Sequence, residues 1–182
     1  LDFNFVLSYL ISHIAKTLGA NAKIVADNPV EYIFFDSRKV FFPATSLFIA
    51  LKGPRRNGHS FIPELYKKGI KNFIVCEEIS SDDLPEANIL FVKDGLVALQ
   101  QLAAFHRKQF DIPVIGITGS NGKTIVKEWR YQLLQPNFNI VRSRKRYNSQ
   151  MGVPLSVWEM NKFHTLGIFE AGISQPGEME KL

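Results

Sequence analysis

At 182 residues, with 46% apolar residues and a formal net charge of +5, the chain has the length of one domain or two small ones and an ordinary globular composition. Its single cysteine, Cys76, excludes a disulfide framework within these residues and favours a reducing compartment, and no apolar run reaches membrane-spanning length. The mild basic excess suits nucleic acid and a multiply phosphorylated substrate equally well, so charge alone does not choose between them.

Residues 3–14 are apolar but lack the basic leader and small-residue cleavage pattern of a signal sequence, and Ser8, Ser12 and His13 interrupt them. Val6, Leu10, Ile14 and Leu18 instead predict one face of an amphipathic helix that stops at Gly19, in a cytoplasmic protein without membrane insertion. Strands are predicted at 22–26, 32–35 and 47–51, with turns at Asn28-Pro29 and Pro43. A polar, basic loop follows at 53–59. Ser60 is predicted to cap a helix that turns Ile62, Leu65 and Tyr66 inward and ends at Gly69. Next come a strand at 72–76 with Cys76 buried, an acidic surface loop (Glu77, Glu78, Asp82, Asp83) and a strand at 89–92. Asp94-Gly95 opens a helix with Leu96, Leu99, Leu102, Ala103 and His106 on one face and Arg107-Lys108-Gln109 at its end. The domain boundary is predicted there, giving residues 1–109 and 110–182.

The second part opens on the apolar run 112–117, read as a buried strand, followed by Thr118-Gly119-Ser120-Asn121-Gly122-Lys123-Thr124. Val126, Trp129 and Leu133 then predict the inward face of a helix, with Lys127 and Glu128 between them. Strand, glycine loop ending in Lys-Thr, helix: this is the setting of a phosphate-binding loop. Its backbone N–H groups point at phosphate, Lys123 reaches the β- and γ-phosphates, and the Thr124 hydroxyl ligates magnesium. The common spelling requires glycine at position 117, where Ile117 stands, so the loop is a variant. Further elements are predicted at 138–141 (strand), 153–160 (helix), 166–169 (strand, ending at Glu170) and from 176 (helix). Glu170, at a strand end beside the loop, is placed to hold magnesium with Thr124. Three strands leave a doubly wound sheet unfinished at Leu182, which predicts a fragment of a longer chain.

The loop spelling resembles that of the Mur ligases, the ATP-dependent amide ligases of peptidoglycan synthesis. Asp36-Ser37-Arg38 resembles the motif of their uridine-substrate domain. Residues 47–53 with Asn57-Gly58-His59-Ser60-Phe61 are similar to a second segment of that domain, and residues 169–178 to a stretch of the central domain. Within the family, the wording of 111–129 and 147–158 is nearest the MurF type, and nearest of all to the subgroup fused to an alanine racemase. Such ligases join D-alanyl-D-alanine to UDP-N-acetylmuramoyl-tripeptide through an acyl phosphate.

The resemblance implies an α/β chain, with a small α/β uridine-substrate domain followed by the start of a doubly wound, mostly parallel ATPase domain. It implies ATP and magnesium as cofactors, and pyridoxal phosphate only where a racemase follows. Gly119, Ser120, Asn121, Gly122, Lys123 and Thr124 are expected on ATP, and Thr124 and Glu170 on magnesium. Lys123 and Glu170 are the expected catalytic groups. Ser37 and Arg38 are expected on the uracil and pyrophosphate, with Lys52, Asn57, His59 and Asn148 as further substrate contacts. An exposed turn with a surface arginine is the structural alternative for Asp36-Ser37-Arg38. Gln175 stands where the family carries histidine and receives no role. Arg142, Arg144, Lys145 and Arg146 read as a solvated basic loop, and His13, His106 and His164 as structural. The family's carbamylated lysine and third domain would lie beyond Leu182, so these residues alone are expected not to turn over. A MurE-type ligase remains open at this level, as does a P-loop NTPase with a regulatory or nucleic-acid role, although no aromatic-basic recognition motif supports nucleic acid as a partner.

Overall fold

Parallel pairing dominates both larger sheets of the chain, whose computed structural model describes residues 7–53, 56–80, 83–144, 147–172 and 177–178. Val6, Arg55, Asp82, Lys145, Arg146, Gln175 and the helix expected from Pro176 lie outside the described residues. The chain divides into two units, one of Ser8–Gln101 and one built from Leu102 onward.

In the first unit, β1 (Tyr9–Leu10) leads into α1 (Ile11–Leu18), then β2 (Asn21–Lys23), β3 (Pro29–Val30) and β4 (Tyr32–Phe34). β5 (Ser46–Ile49), α2 (Ile62–Lys67), β6 (Asn72–Val75), β7 (Asn88–Phe91) and the start of α3 (Gly95–Arg107) complete it. The main sheet runs β2-β7-β6-β5-β4, parallel except for the antiparallel edge strand β2. The β-branched and aromatic runs form the strands because both faces are covered, and Phe48, Phe73, Ile74 and Leu90 are fully buried. Two buried amides fix the register: Asn88 Nδ2 donates to Asn72 Oδ1 at 2.8 Å, and Asn72 Nδ2 to the Ser46 carbonyl at 3.1 Å.

Three local expectations shift. The first helix starts at Ile11 and buries Ile11, Ile14 and Ala15, while Leu10 sits in β1 half exposed. The turn before α2 is capped by Asn57, whose side chain accepts from His59 N; Ser60 instead donates its hydroxyl to the Asn57 carbonyl. Cys76 falls just after β6 and is partly exposed.

The second unit contains β8 (Val114–Ile117), α4 (Lys123–Leu134), β9 (Ile140–Arg142), α5 (Gly152–Trp158) and β10 (Leu166–Glu170). Its sheet is wholly parallel, in the order β8-β10-β9, with Glu170 opposite Ile117 and Leu166 opposite Ile140. Ile117, Leu166 and Ile168 pack with Leu134 of α4, and Val141, Phe169 and Met160 pack with Val157 of α5 and with Phe110 and Ile112. The sheet is thus covered on both faces, as doubly wound folds require.

α4 is turned differently from its expected register. Val126, Trp129 and Leu133 are exposed (Trp129 by 64%), and so is Ile125, whereas Lys127 is completely buried. β8 is correspondingly an edge strand with Val114 exposed, not the buried strand its composition predicts. The helix turns Lys127 inward, toward Glu170 at the end of β10, with Leu134 packed on the core beside it.

Candidate active site

All strands of the second sheet are parallel, so the loop after β8, the residues after β9 and the end of β10 lie at the same end of the sheet. The loop reaches α4 through Gly119 (φ 143°) and Gly122 (φ 74°), backbone conformations that side chains resist. Gly122 caps α4 without a side chain to satisfy the first-turn N–H groups, the arrangement that receives phosphate. Lys123 Nζ donates to the Gly119 carbonyl at 2.6 Å, so the amine curls over its own loop.

The Thr124 hydroxyl donates to Glu170 Oε2 at 2.9 Å and to Oε1 at 3.1 Å, and Asn148 Nδ2 donates to Oε1 at 2.9 Å. Lys127 Nζ lies 3.5 Å from Glu170 Oε2 and donates to the Ser143 carbonyl at 2.9 Å. The Ser143 hydroxyl accepts from Glu170 N at 3.0 Å. Burial works to raise the Glu170 pKa, but the hydrogen bonds from Asn148 and Thr124 and the charge of Lys127 outweigh it and hold the carboxyl below its ordinary value. Asn148 is itself pinned, since its carbonyl accepts from Gly172 N at 2.6 Å. The oxygen donors of Thr124 and Glu170 form a hard-ligand set suited to magnesium. Asn148, expected on the uridine substrate, has its side chain on Glu170 in the second unit.

In the first unit the other expected substrate residues follow β4, β5 and β6, parallel strands whose carboxyl ends share one side of the sheet. After β4, Arg38 forks onto Asp36, with Nε on Oδ1 and Nη2 on Oδ2, each at 2.8 Å. The Arg38 hydrogen bond holds the Asp36 carboxyl down at about 2. Ser37 is half-buried on the same loop.

After β5, Lys52 is bridged antiparallel to Asn57, and Glu77, just beyond β6, gathers both. Lys52 Nζ lies 2.6 Å from Glu77 Oε1, and Asn57 Nδ2 donates to Oε2 at 2.8 Å. His59 Nε2 accepts from Cys76 N at 3.0 Å, which assigns the imidazole proton to Nδ1, 2.7 Å from Asn57 Oδ1. Burial lowers the His59 pKa, in keeping with this neutral tautomer. Both ring nitrogens of His59 are therefore engaged within the protein, by Asn57 and by the Cys76 N–H.

Sequence reasoning missed three residues. Glu77 was read as solvated surface, Lys127 as a polar-face residue, and Ser143 was not singled out. The usable signal for Glu77 was its position immediately after a parallel strand.

Residues 117–182 match the Mur ligase middle domain. The UDP-N-acetylmuramoyl-tripeptide–D-alanyl-D-alanine ligase of Bacillus subtilis is 32% identical over 180 residues, covering 95% of this chain and 38% of that protein. A crystal structure of MurF from Acinetobacter baumannii superposes with a TM-score of 0.88 at 28% identity, over 97% of this chain and 38% of that one. MurF ligase from Thermotoga maritima in complex with ADP superposes with a TM-score of 0.72 at 29% identity, over 82% of this chain and 34% of that one. The chain thus spans well under half the length of these relatives. It has the α/β fold of the Mur ligases and carries sequence of their middle domain from residue 117 onward.

Proposed function

We propose that these residues are the uridine-substrate and nucleotide-binding part of a cytoplasmic ATP-dependent ligase that adds D-alanyl-D-alanine to UDP-N-acetylmuramoyl-tripeptide. Residues 1–109 are the substrate module and 110–182 the beginning of the ATP-binding domain. The observation that carries this reading is the convergence of Thr124, Asn148 and Glu170 beside the phosphate-type loop. Similarity to relatives of that name supports the choice of substrates. The finer likeness to racemase-fused ligases rests on sequence wording alone, and no residue here is assigned to pyridoxal phosphate.

In this reading the N–H groups of Gly119, Ser120, Asn121 and Gly122, with Lys123, hold the β- and γ-phosphates of ATP. The substrate carboxylate attacks the γ-phosphorus, the bond to ADP breaks, and an acyl phosphate results. The dipeptide amine then attacks the acyl carbon, loses a proton and expels phosphate. Thr124 and Glu170 hold magnesium, whose charge offsets that of the phosphates. Asn148 orients Glu170. Ser37 and Arg38 take the uracil and pyrophosphate, Lys52 and Asn57 bind the same diphosphate, and His59 fixes Asn57.

Calorimetric titration of the chain with UDP-N-acetylmuramoyl-tripeptide and, separately, with MgATP tests the proposal. Arg38→Ala is expected to weaken only the first and Lys123→Ala only the second. A wild-type chain that binds neither, or that binds oligonucleotide with a steep salt dependence instead, sinks it.

A further inference from the structure

Lys127 is fully buried, and its ammonium has three oxygen neighbours: the Ser143 carbonyl at 2.9 Å, Glu170 Oε2 at 3.5 Å and Glu128 Oε1 at 3.6 Å. Glu128 is in turn paired with Arg142, whose guanidinium lies over the Tyr131 ring. Glu170 is as deeply buried, with a side chain only 3% exposed. A carboxylate at that depth needs a compensating charge, because the interior does not screen it as water does. Its hydrogen-bond donors, Thr124 and Asn148, are neutral, and the cation nearest to it among the described residues is Lys127.

The direction of α4 supports the same conclusion. Turning Trp129 and Leu133 inward would bury more apolar surface, yet the helix buries an amine and leaves the indole in water. The sequence thus spends its buried helix face on a charge aimed at the end of β10. Ser143 extends the tie, accepting from Lys127 through its carbonyl and from the Glu170 backbone through its hydroxyl, so β9, β10 and α4 meet at one point.

We infer that Lys127 is the internal counter-ion of Glu170, a positioning residue that compensates the buried carboxylate and holds it aimed at the phosphate loop whenever no metal is bound. This rests on the reading of Thr124 and Glu170 as magnesium ligands. Lys127 does not touch the substrate or the reacting atoms in this account; it acts through Glu170. Magnesium held by Thr124 and Glu170 would supply part of the same charge compensation, which would make the two cations partly redundant for stability.

Thermal unfolding of the wild-type chain and of Lys127→Met, each in EDTA, in ATP with EDTA and in ATP with magnesium, tests this. Lys127→Met is expected to melt lower than wild type in EDTA, with a magnesium-dependent rise in Tm at least twofold larger than wild type's. Equal magnesium increments with a persisting deficit overturn the proposal and leave Lys127 a packing element. A wild type with no magnesium increment overturns the magnesium-site reading itself, and the Lys127 proposal falls with it. Should Lys127→Met fail to fold, the double variant Lys127→Met, Glu170→Gln carries the test, because it removes both charges together. It is expected to fold and to melt above either single variant that can be measured. A double variant that also fails to fold overturns the counter-ion role.

Discussion

Thr124 and Glu170 lie 46 positions apart in the chain, and the threonine hydroxyl spans both carboxylate oxygens, at 2.9 and 3.1 Å. The contact joins the first turn of α4 to the last residue of β10, which also pairs with Ile117, so both ends of the loop between β8 and α4 are tied to the end of that strand. It also sets two kinds of ligand apart. In the proposed reading Lys123 is a charge for phosphate, whereas Thr124 with Glu170 is an oxygen site for a cation. Thr124→Val is therefore expected to weaken MgATP while leaving ATP in EDTA nearly unchanged. Lys123→Ala is expected to weaken both by about 10- to 100-fold, the worth of a lost charge-assisted hydrogen bond. Calorimetry in the two buffers separates them, and equal losses in both variants would remove the division of labour.

His59 should behave as a structural relay. Replacing it by Phe keeps the ring volume but leaves the Cys76 N–H without its partner and takes one of two donors from Asn57 Oδ1, which keeps the main-chain N–H of residue 59. A stranded buried donor costs about 1–3 kcal/mol, which urea unfolding would detect. Binding of UDP is expected to weaken as well, because the Asn57 amide loses one of the bonds that fix it beside Lys52 and Glu77. Loss of UDP binding at unchanged stability would instead make His59 a direct contact.

The loop that delivers Asn148 depends on a close backbone approach. A Cβ on Gly152 would lie 2.6 Å from both the Cα and the carbonyl carbon of Tyr147, main-chain atoms that cannot swing aside. Gly152→Ala is expected to destabilise the chain by about 1–3 kcal/mol, the range of overpacked sites. It should also weaken MgATP, since Asn148 lies one residue beyond the clash and orients Glu170. Native affinity in a destabilised Gly152→Ala chain would separate the loop from the site.

Much of this organisation was legible in the chain itself, and the reasons are local. Strands such as β5, β6, β7 and β10 are built on short apolar runs, at 47–49, 73–75, 89–91 and 166–169, because parallel sheets are covered on both faces, and that signal survives without tertiary knowledge. The phosphate-type loop was legible because Gly119, Gly122, Lys123 and Thr124 must sit at fixed spacing between strand and helix. The rotation of α4 was not. Periodicity assumes that a helix buries its apolar stripe, and here Lys127 is drawn inward by Glu170, 43 residues further along the chain, a pairing no local window contains. Glu77 was hidden for the same reason: an acidic residue in an acidic loop reads as solvated until Lys52 and Asn57 are found folded onto it. His106 was rightly read as structural, but its environment was not legible, because Trp158 and Met160 lie more than fifty residues away.

That environment makes His106 a source of acid sensitivity. The ring is fully buried, stacked on Trp158 with centroids 4.7 Å apart, and its Nε2 lies 3.0 Å from the Met160 carbonyl, to which it donates. Burial pushes its pKa from the ordinary 6.5 down to about 4, despite the opposing pull of the Met160 carbonyl. Between those two values the unfolded chain takes up a proton that the folded chain refuses, so stability rises with pH across that window. It is complete above 6.5 and falls progressively toward 4, a loss of roughly 3 kcal/mol from this one group. His106→Gln can still donate to Met160 but does not titrate. Urea unfolding, followed by tryptophan fluorescence at both ends of the window, should give a clearly shallower pH slope in the variant than in the wild type. Equal slopes would mean that His106 is protonated in the fold and that acid sensitivity, where present, comes from another group.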